Sequence, residues 1–133
     1  MTIIKKIQIS EDIDIAKASF EAKIFAKMLG FKQHEQYMIA TSASELATNI
    51  TRYAEKGEII LRKIEKNNKI GIEIIAEDKG PGIEDIGKAM KDSFSTSPKS
   101  LGLGLPGVKR LMDEFTIDSR RNIGTRIATR KWV

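Results

Sequence analysis

Two absences in this sequence narrow the kinds of protein it can be. The 133 residues contain no cysteine, which excludes disulfides, thiolate metal ligands and a cysteine nucleophile. No apolar run approaches the roughly 20 residues that cross a bilayer. Lys5 and Lys6 also interrupt the apolar start before a signal-peptide core could form. We therefore expect a cytoplasmic protein that is neither exported nor inserted in a membrane.

The charge balance is basic, yet it does not predict nucleic-acid binding. Lys and Arg number 23 against 18 Asp and Glu, for a net charge of +5. These basic residues are scattered, and the aromatic side chains on which bases stack make up only 6% of the chain. We expect no nucleic-acid partner. A basic surface suits a phosphorylated small molecule or an acidic protein partner equally well.

Hydrophobic spacing predicts the element order β, α, α, β, β, loop, α, β, β in one domain over residues 1–133. The predicted strands are 2–9, 58–65, 69–77, 115–120 and 125–133. The predicted helices run from Ser10 to Gly30, from Gln33 to Ala54 and from Pro106 to Glu114. Grouped strands of this kind favour an α+β fold, a two-layer sandwich with the helices on one face of a mixed or largely antiparallel sheet.

Two helices have apolar stripes that predict their buried faces. The first is expected to bury Ile13, Ala16, Phe20 and Ile24, and the second Ile39, Ala43, Leu46, Ile50 and Tyr53. Ser10 is the predicted capping residue of the first helix, since a serine hydroxyl accepts from backbone N–H groups at a helix start. Gly57 is expected to close the second helix, and Asn67 with Asn68 is expected to turn a hairpin.

The first candidate for chemistry is the pair Glu45 and Asn49 on the second helix. Four residues turn a helix by roughly 400°, so the two side chains lie one above the other. A carboxylate can accept a proton, and an amide oxygen can ligate a hard cation such as Mg²⁺. We therefore interpret Glu45 as a candidate base and Asn49 as a candidate metal ligand. The alternative, for the pair taken alone, is an ordinary polar stripe that faces solvent.

The second candidate is Asp78 with Gly80 and Gly82, directly after a hydrophobic strand. A carboxylate there can accept from an exocyclic amine, and glycines let the backbone approach a flat ring. Thr125, at the start of the last strand, could place its hydroxyl beside Asp78 and add a contact to an adenine edge. A tight turn that happens to contain an acid is the alternative for Asp78.

The third candidate is a glycine-rich segment running into the third helix. Closely spaced glycines at a helix start expose backbone N–H groups and favour phosphate, although a plain linker is the alternative. The segment is not a Walker A loop, because no Gly-Lys-Ser/Thr follows. Ahead of it, Asp92 to Leu101 is polar and rich in serine, which predicts a mobile loop, and 84–91 is expected to hold a short helical piece.

In this order, Glu45 with Asn49, Asp78-x-Gly80-x-Gly82, Gly102-x-Gly104 and Gly124-Thr125 resemble the N, G1, G2 and G3 boxes of the GHKL ATPase/kinase superfamily. The resemblance covers almost the whole chain. The local amino-acid sequence at residues 77–83, 94–97 and 105–115 resembles that of one subgroup, the RsbT-type serine/threonine kinases of the bacterial stressosome.

The resemblance implies a GHKL (Bergerat) sandwich that binds ATP and Mg²⁺ between its helices and a lid at about 92–104. It implies that Glu45 is the catalytic base, that Asn49 ligates Mg²⁺, and that Asp78 binds the adenine amine. The further nucleotide-binding positions implied are Gly80, Gly82, Gly102, Leu103, Gly104, Leu105, Gly107 and Thr125. No phosphoacceptor helix precedes the boxes in this sequence, so we expect the acceptor on another protein.

For partners, the resemblance implies transfer of the ATP γ-phosphate to a serine or threonine of STAS-domain scaffold proteins. The released kinase would then activate a downstream phosphatase or other output protein in a stress response. One alternative on the same fold is an anti-sigma factor kinase that phosphorylates its anti-anti-sigma antagonist. Another is a module that holds ATP without turnover, which the intact Glu45 disfavours.

Overall fold

Alternating and helical apolar patterns build five strands and three helices in a computed structural model that describes residues 3–83, 90 and 104–133. The strands are β1 (Ile4–Ile9), β2 (Gly57–Lys66), β3 (Lys69–Asp78), β4 (Glu114–Arg120) and β5 (Gly124–Trp132). The helices are α1 (Asp12–Leu29), α2 (Gln33–Tyr53) and α3 (Gly104–Leu111). The element order predicted from the sequence is confirmed.

The strands form a sheet in the order β1-β2-β3-β5-β4, with every neighbouring pair antiparallel. The predicted turn between β2 and β3 is made by Asn67 and Asn68, whose φ angles of 52° and 66° are in the left-handed region that asparagine tolerates. The helices cover one face of this sheet, so the predicted two-layer α+β sandwich is confirmed. None of the helices in the described ranges is long and apolar enough to span a membrane.

The hydrophobic core lies between the sheet and α2. The helix-facing strand residues are fully or almost fully buried: Ile7, Ile9, Ile59, Leu61, Ile72, Ile74 and Ile127. Ile39, Ala43, Leu46 and Ile50 of α2 pack into the same core, as their spacing predicted. Each large aliphatic side chain buried in this way stabilises the fold by about 1.5–3 kcal/mol. The packing holds α2 rigidly against the middle of the sheet.

The predicted buried face of α1 is wrong. Ile13, Phe20 and Ile24 are exposed, whereas Ile15, Ala18, Ala22, Phe25 and Ala26 are buried. The helix carries two apolar stripes, and the one rich in alanine faces inward because small side chains let α1 approach α2 closely. The outward stripe consists of larger side chains.

Three predicted element ends also differ from the structure. Glu11 is the N-cap of α1, and the Asp14 carboxylate accepts from the backbone N–H groups of Ser10 and Glu11, at 2.9 Å each. A carboxylate three residues into the helix therefore replaces the serine hydroxyl as the capping acceptor. α2 ends at the C-cap Ala54, not at Gly57. α3 ends at Leu111, because Glu114 already begins β4.

On the sheet face away from the helices, charged side chains pair across the strands. Glu73 of β3 is only 2% exposed and lies between two arginines. Arg130 Nε donates to Glu73 Oε2 at 2.7 Å, and an Arg62 terminal nitrogen lies 2.5 Å from Oε1, in ion-pair contact without hydrogen-bond geometry. The hydrogen bond with Glu73 raises the pKa of Arg130. These pairs fix the lateral register of β2, β3 and β5.

Candidate active site

Glu45 and Asn49 lie one turn apart on α2 and are 4% and 8% exposed. Ala40 of the same helix faces α1, where its carbonyl accepts from the Ser19 hydroxyl at 3.1 Å. At 100° per residue, Glu45 lies about 140° and Asn49 about 180° around the helix axis from Ala40. Both polar side chains therefore point away from α1. This burial rules out a solvated polar stripe.

Asn49 has the chemistry of a ligand for a hard cation. No hydrogen bond joins its amide to another residue in the described part of the chain. Its amide atoms are not among the buried polar atoms that lack a partner, so they reach solvent and are open to a ligand. Among the described residues no cluster of three or more His, Cys, Asp or Glu could hold a metal by itself. Mg²⁺ bound mainly by phosphate oxygens needs only one or two protein ligands, so Asn49 fits that role.

Asp78 ends β3 and pairs in register with Thr125 of β5. Their side chains therefore lie side by side on the helix-facing side of the sheet, the arrangement that the sequence predicted for these two residues. Asp78 Oδ1 accepts from the backbone N–H of Gly80 at 2.9 Å, which fixes the carboxylate in a short turn. Its other oxygen retains acceptor capacity toward a ligand amine.

Ser119 is a site residue that the sequence reasoning missed. Its hydroxyl lies 2.8 Å from the Thr125 hydroxyl and accepts from the backbone N–H of Ile83 at 2.6 Å. One β4 side chain thereby links the start of β5 to the loop after Asp78. The signal was present in the sequence, because Ser119 continues the alternation of Phe115 and Ile117 and so faces the helices.

Two glycines have a backbone that only glycine adopts easily. Gly124 has φ of 143°, and a Cβ there would overlap the Asp78 carbonyl oxygen. Gly82 has φ of 84°, and a Cβ would lie 2.6 Å from the Arg120 carbonyl oxygen. Gly80 lies against the end of α2, where a Cβ would lie 2.6 Å from the Ala54 methyl group. The three positions draw the loop after β3 close to β4, β5 and α2.

Only part of the predicted glycine-rich phosphate segment lies in the described ranges. Gly104 is the first residue of α3, with φ of 59°, and Leu105 and Gly107 are buried in that helix beside Val108. Leu105 and Val108 also join the core. Gly102, Leu103, most of the predicted lid at 92–104 and nearly all of the predicted helical piece at 84–91 lie outside the described residues.

A cavity of about 750 Å³ opens at the same end of the sheet but mainly on the face away from the helices. Gln8, Glu58, Glu77 and Arg126 belong to its lining, together with Asp78 and Thr125. Glu45 and Asn49 are not among its lining residues. Charged groups of this cavity already pair with one another, for example Arg126 with Glu77 at 2.8 Å. This cavity is therefore shared by Asp78 and Thr125 but is separate from the Glu45 and Asn49 pair.

Comparison with known proteins shows the family of the chain. A model of the histidine kinase-like ATPase domain matches residues 10–131. The chain is 50% identical over 127 residues to the serine/threonine-protein kinase RsbT of Bacillus subtilis, covering 96% of this chain and 95% of that protein. It is 37% identical over 114 residues to the anti-sigma F factor of Caldanaerobacter subterraneus subsp. tengcongensis, covering 82% of this chain and 78% of that protein.

A solved structure shows the same fold at low sequence identity. A chain in the crystal structure of the SiaB-SiaC complex from Pseudomonas aeruginosa matches with a TM-score of 0.55 and 10% identity. The match covers 98% of this chain and 89% of that one. At this identity the likeness concerns the fold alone.

The chain belongs to the histidine kinase-like ATPase family, a class of ATP-binding domains in which helices pack on an antiparallel sheet. Within that family, its identity to RsbT over nearly the full length of both chains places it among the serine/threonine-protein kinases of the RsbT type. The recognition that rested on the four glycine- and acid-containing segments is confirmed.

Proposed function

We propose that this kinase transfers the γ-phosphate of ATP to a serine or threonine of a STAS-domain protein and so switches partners in a bacterial stress response. The observation that carries the proposal is the juxtaposition of two nearly buried polar groups, Glu45 and Asn49, on the side of α2 away from α1. The identity to RsbT supports the kinase class. We also propose a cytoplasmic location and one domain over residues 1–133.

Asp78 and Thr125 are proposed to hold the adenine end of ATP. The ionised Asp78 carboxylate accepts from the exocyclic amine, and the Thr125 hydroxyl, held by Ser119, supports the same edge. Gly80 and Gly82 leave room for the base, while Gly102, Leu103, Gly104, Leu105 and Gly107 stay predicted contacts of the phosphates. Asn49 is the proposed protein ligand of Mg²⁺, and the bound ion would supply positive charge that stabilises the transferred phosphoryl group.

Glu45 is proposed to act as the general base. As the acceptor oxygen bonds to the γ-phosphorus, the bond from that phosphorus to the β–γ bridging oxygen breaks and ADP leaves with the electron pair. The hydroxyl proton moves to the Glu45 carboxylate. Burial of Glu45 keeps bulk water away from this transfer, which favours the acceptor hydroxyl over hydrolysis.

The downstream partner is proposed to be a phosphatase or another output protein that the kinase activates once it leaves the phosphorylated scaffold. The alternative is an anti-sigma factor kinase that binds a sigma subunit and phosphorylates its antagonist, which the 37% identity to an anti-sigma F factor supports. We favour the first, since the identity to RsbT is higher and covers more of both chains.

Radiolabelled phosphate transfer tests the proposal. The purified chain, given γ-labelled ATP and Mg²⁺, should label a STAS-domain protein, and mutation of the labelled serine or threonine to alanine should abolish the signal. In parallel, the chain should not retain a sigma subunit on an affinity column. Retention of sigma with labelling of its antagonist would establish the alternative, and no labelling of any STAS protein would contradict both.

A further inference from the structure

The outer face of α1 exposes a continuous stripe of large apolar side chains. Ile13, Phe20, Ile24 and Met28 are 71%, 64%, 48% and 58% exposed. Spacings of seven, four and four residues place them along one side of the helix, over a length of about 22 Å. Single exposed apolar residues are normal on a protein surface, but a contiguous stripe marks a surface that another molecule covers.

The inward face of α1 is already satisfied by its own packing. Ala18, Ala22, Phe25 and Ala26 are buried and belong to the hydrophobic core. The outward stripe therefore does not serve the fold, because no described residue packs over it to bury it. A helix that is apolar on both sides needs a cover on both sides.

Beside the stripe, a groove of about 520 Å³ runs between α1 and α2. Ala16, Ser19 and Phe20 form one wall, and Tyr37 and Ala40 form the other. Lys23 bridges the rim: its Nζ lies 4.4 Å from the centre of the Tyr37 ring and donates to the Tyr37 hydroxyl at 3.3 Å. The small residues on the floor leave space for side chains of a molecule lying along α1.

The charges around the stripe are positive. Lys17, Lys23 and Lys27 lie along it, and Lys17 and Lys27 are exposed. Two acidic residues of the same helix are engaged elsewhere: Glu21 pairs with Lys5 at 3.8 Å, and Asp14 caps the helix start. Asp12 lies at the N-terminal end of the groove, so the positive charge is concentrated along the part from Lys17 to Lys27. A second copy of this chain would bring lysines against lysines. Charge complementarity instead favours an occupant with an apolar stripe flanked by Asp and Glu.

We propose that the outer face of α1 is the docking surface for an acidic amphipathic helix of a partner protein. A helix of about four turns matches the length of the stripe and can seat apolar side chains in the groove beside Phe20. This surface lies on the side of α2 opposite Glu45 and Asn49. A partner held there is therefore not presenting its reacting hydroxyl to the base, and the proposal stands independently of the proposed kinase reaction.

Two synthetic helices test the proposal without ATP or phosphotransfer. The first carries leucines at the a, d and e positions of about two heptads, flanked by glutamates, and the second has lysines in place of those glutamates. In fluorescence anisotropy, the glutamate helix should bind the kinase and the lysine helix should not. Phe20→Ser with Ile24→Ser should weaken binding at least about tenfold. Ile70→Ser, at a half-exposed isoleucine in the sheet, is the matched control and should bind normally.

Charge reversal makes the test more specific than loss of binding alone. The double variant Lys17→Glu, Lys27→Glu should no longer bind the glutamate helix and should bind the lysine helix instead. Circular dichroism should show that its fold is unchanged. Equal binding of both helices, no binding of either, or binding that survives the Phe20 and Ile24 changes would overturn the proposal. So would a dimer in sedimentation that dissociates in the Phe20 variant, or binding to anionic vesicles that depends on the same residues.

Discussion

Single hydroxyl and carboxyl groups connect the segments of the candidate site. Ser119 illustrates this, because its one oxygen contacts the Thr125 hydroxyl and the Ile83 backbone N–H, on two different segments. Thr125 in turn stands in register with Asp78. The position of the proposed adenine contact therefore depends on a residue that need not touch the nucleotide.

Ser119→Ala should destabilise the protein and weaken ATP binding together. The change leaves the partly buried Ile83 N–H without its acceptor, a loss of about 1–3 kcal/mol in the free energy of unfolding. Thr116→Ala is the control on the same strand, where an exposed hydroxyl faces the other side of the sheet. Urea unfolding and calorimetric ATP titration measure both effects. If the Ser119 and Thr116 variants have the same stability and the same ATP affinity, Ser119 does not support the site.

At the scale of elements, the capping of α1 sets a pH dependence. Asp14 accepts from the Ser10 and Glu11 N–H groups, and these hydrogen bonds, that from Ser10 first, hold its pKa below the ordinary value. A carboxylate whose pKa is lower in the folded state contributes stability above its unfolded pKa. That contribution is lost as the pH falls through the folded pKa.

Asp14→Ala should therefore be less stable than the wild type at neutral pH, and the difference should narrow on acidification. Urea unfolding at neutral pH and at intervals below about pH 5 measures the difference between the two proteins at each pH. The other carboxylates are the same in both proteins, so their contributions to the free energy of unfolding cancel in this difference. A difference that stays constant down to the acid end would show that the carboxylate is not the capping group.

Elements also show what the sequence could and could not predict. The α2 stripe of Ile39, Leu46 and Ile50 gave the buried face correctly, since its other side is polar. α1 carries apolar residues on both sides, so periodicity could not choose between Phe20 and Phe25. The choice depended on the fit of small residues against α2, a tertiary property. Likewise, the sequence predicted that Thr125 lies beside Asp78, whereas the contact of Ser119 with Thr125 needed the actual register of β4 and β5.

On the scale of the whole molecule, the helix layer presents two separate surfaces. Glu45 and Asn49 are nearly buried on the side of α2 away from α1, whereas Phe20 and Ile24 are exposed on the outer face of α1. In the proposed account, α2 therefore separates the nucleotide chemistry from the docking of one partner. The proposed adenine contacts of Asp78 and Thr125 lie at a third place, the end of the sheet, so nucleotide binding and phosphotransfer are expected to separate in variants.

The most direct test of the central claim is the effect of Glu45→Gln on phosphotransfer and on ATP affinity, measured on the same preparation. If Glu45 is the base, transfer to the STAS-domain acceptor should fall by roughly 10²–10⁴-fold, because glutamine cannot take the proton. ATP affinity by calorimetry should stay near that of the wild type, since Asp78 and Thr125 are unchanged. Glu55→Gln, the same change at an exposed glutamate beyond α2, should transfer normally. Wild-type transfer rates in Glu45→Gln would contradict the account.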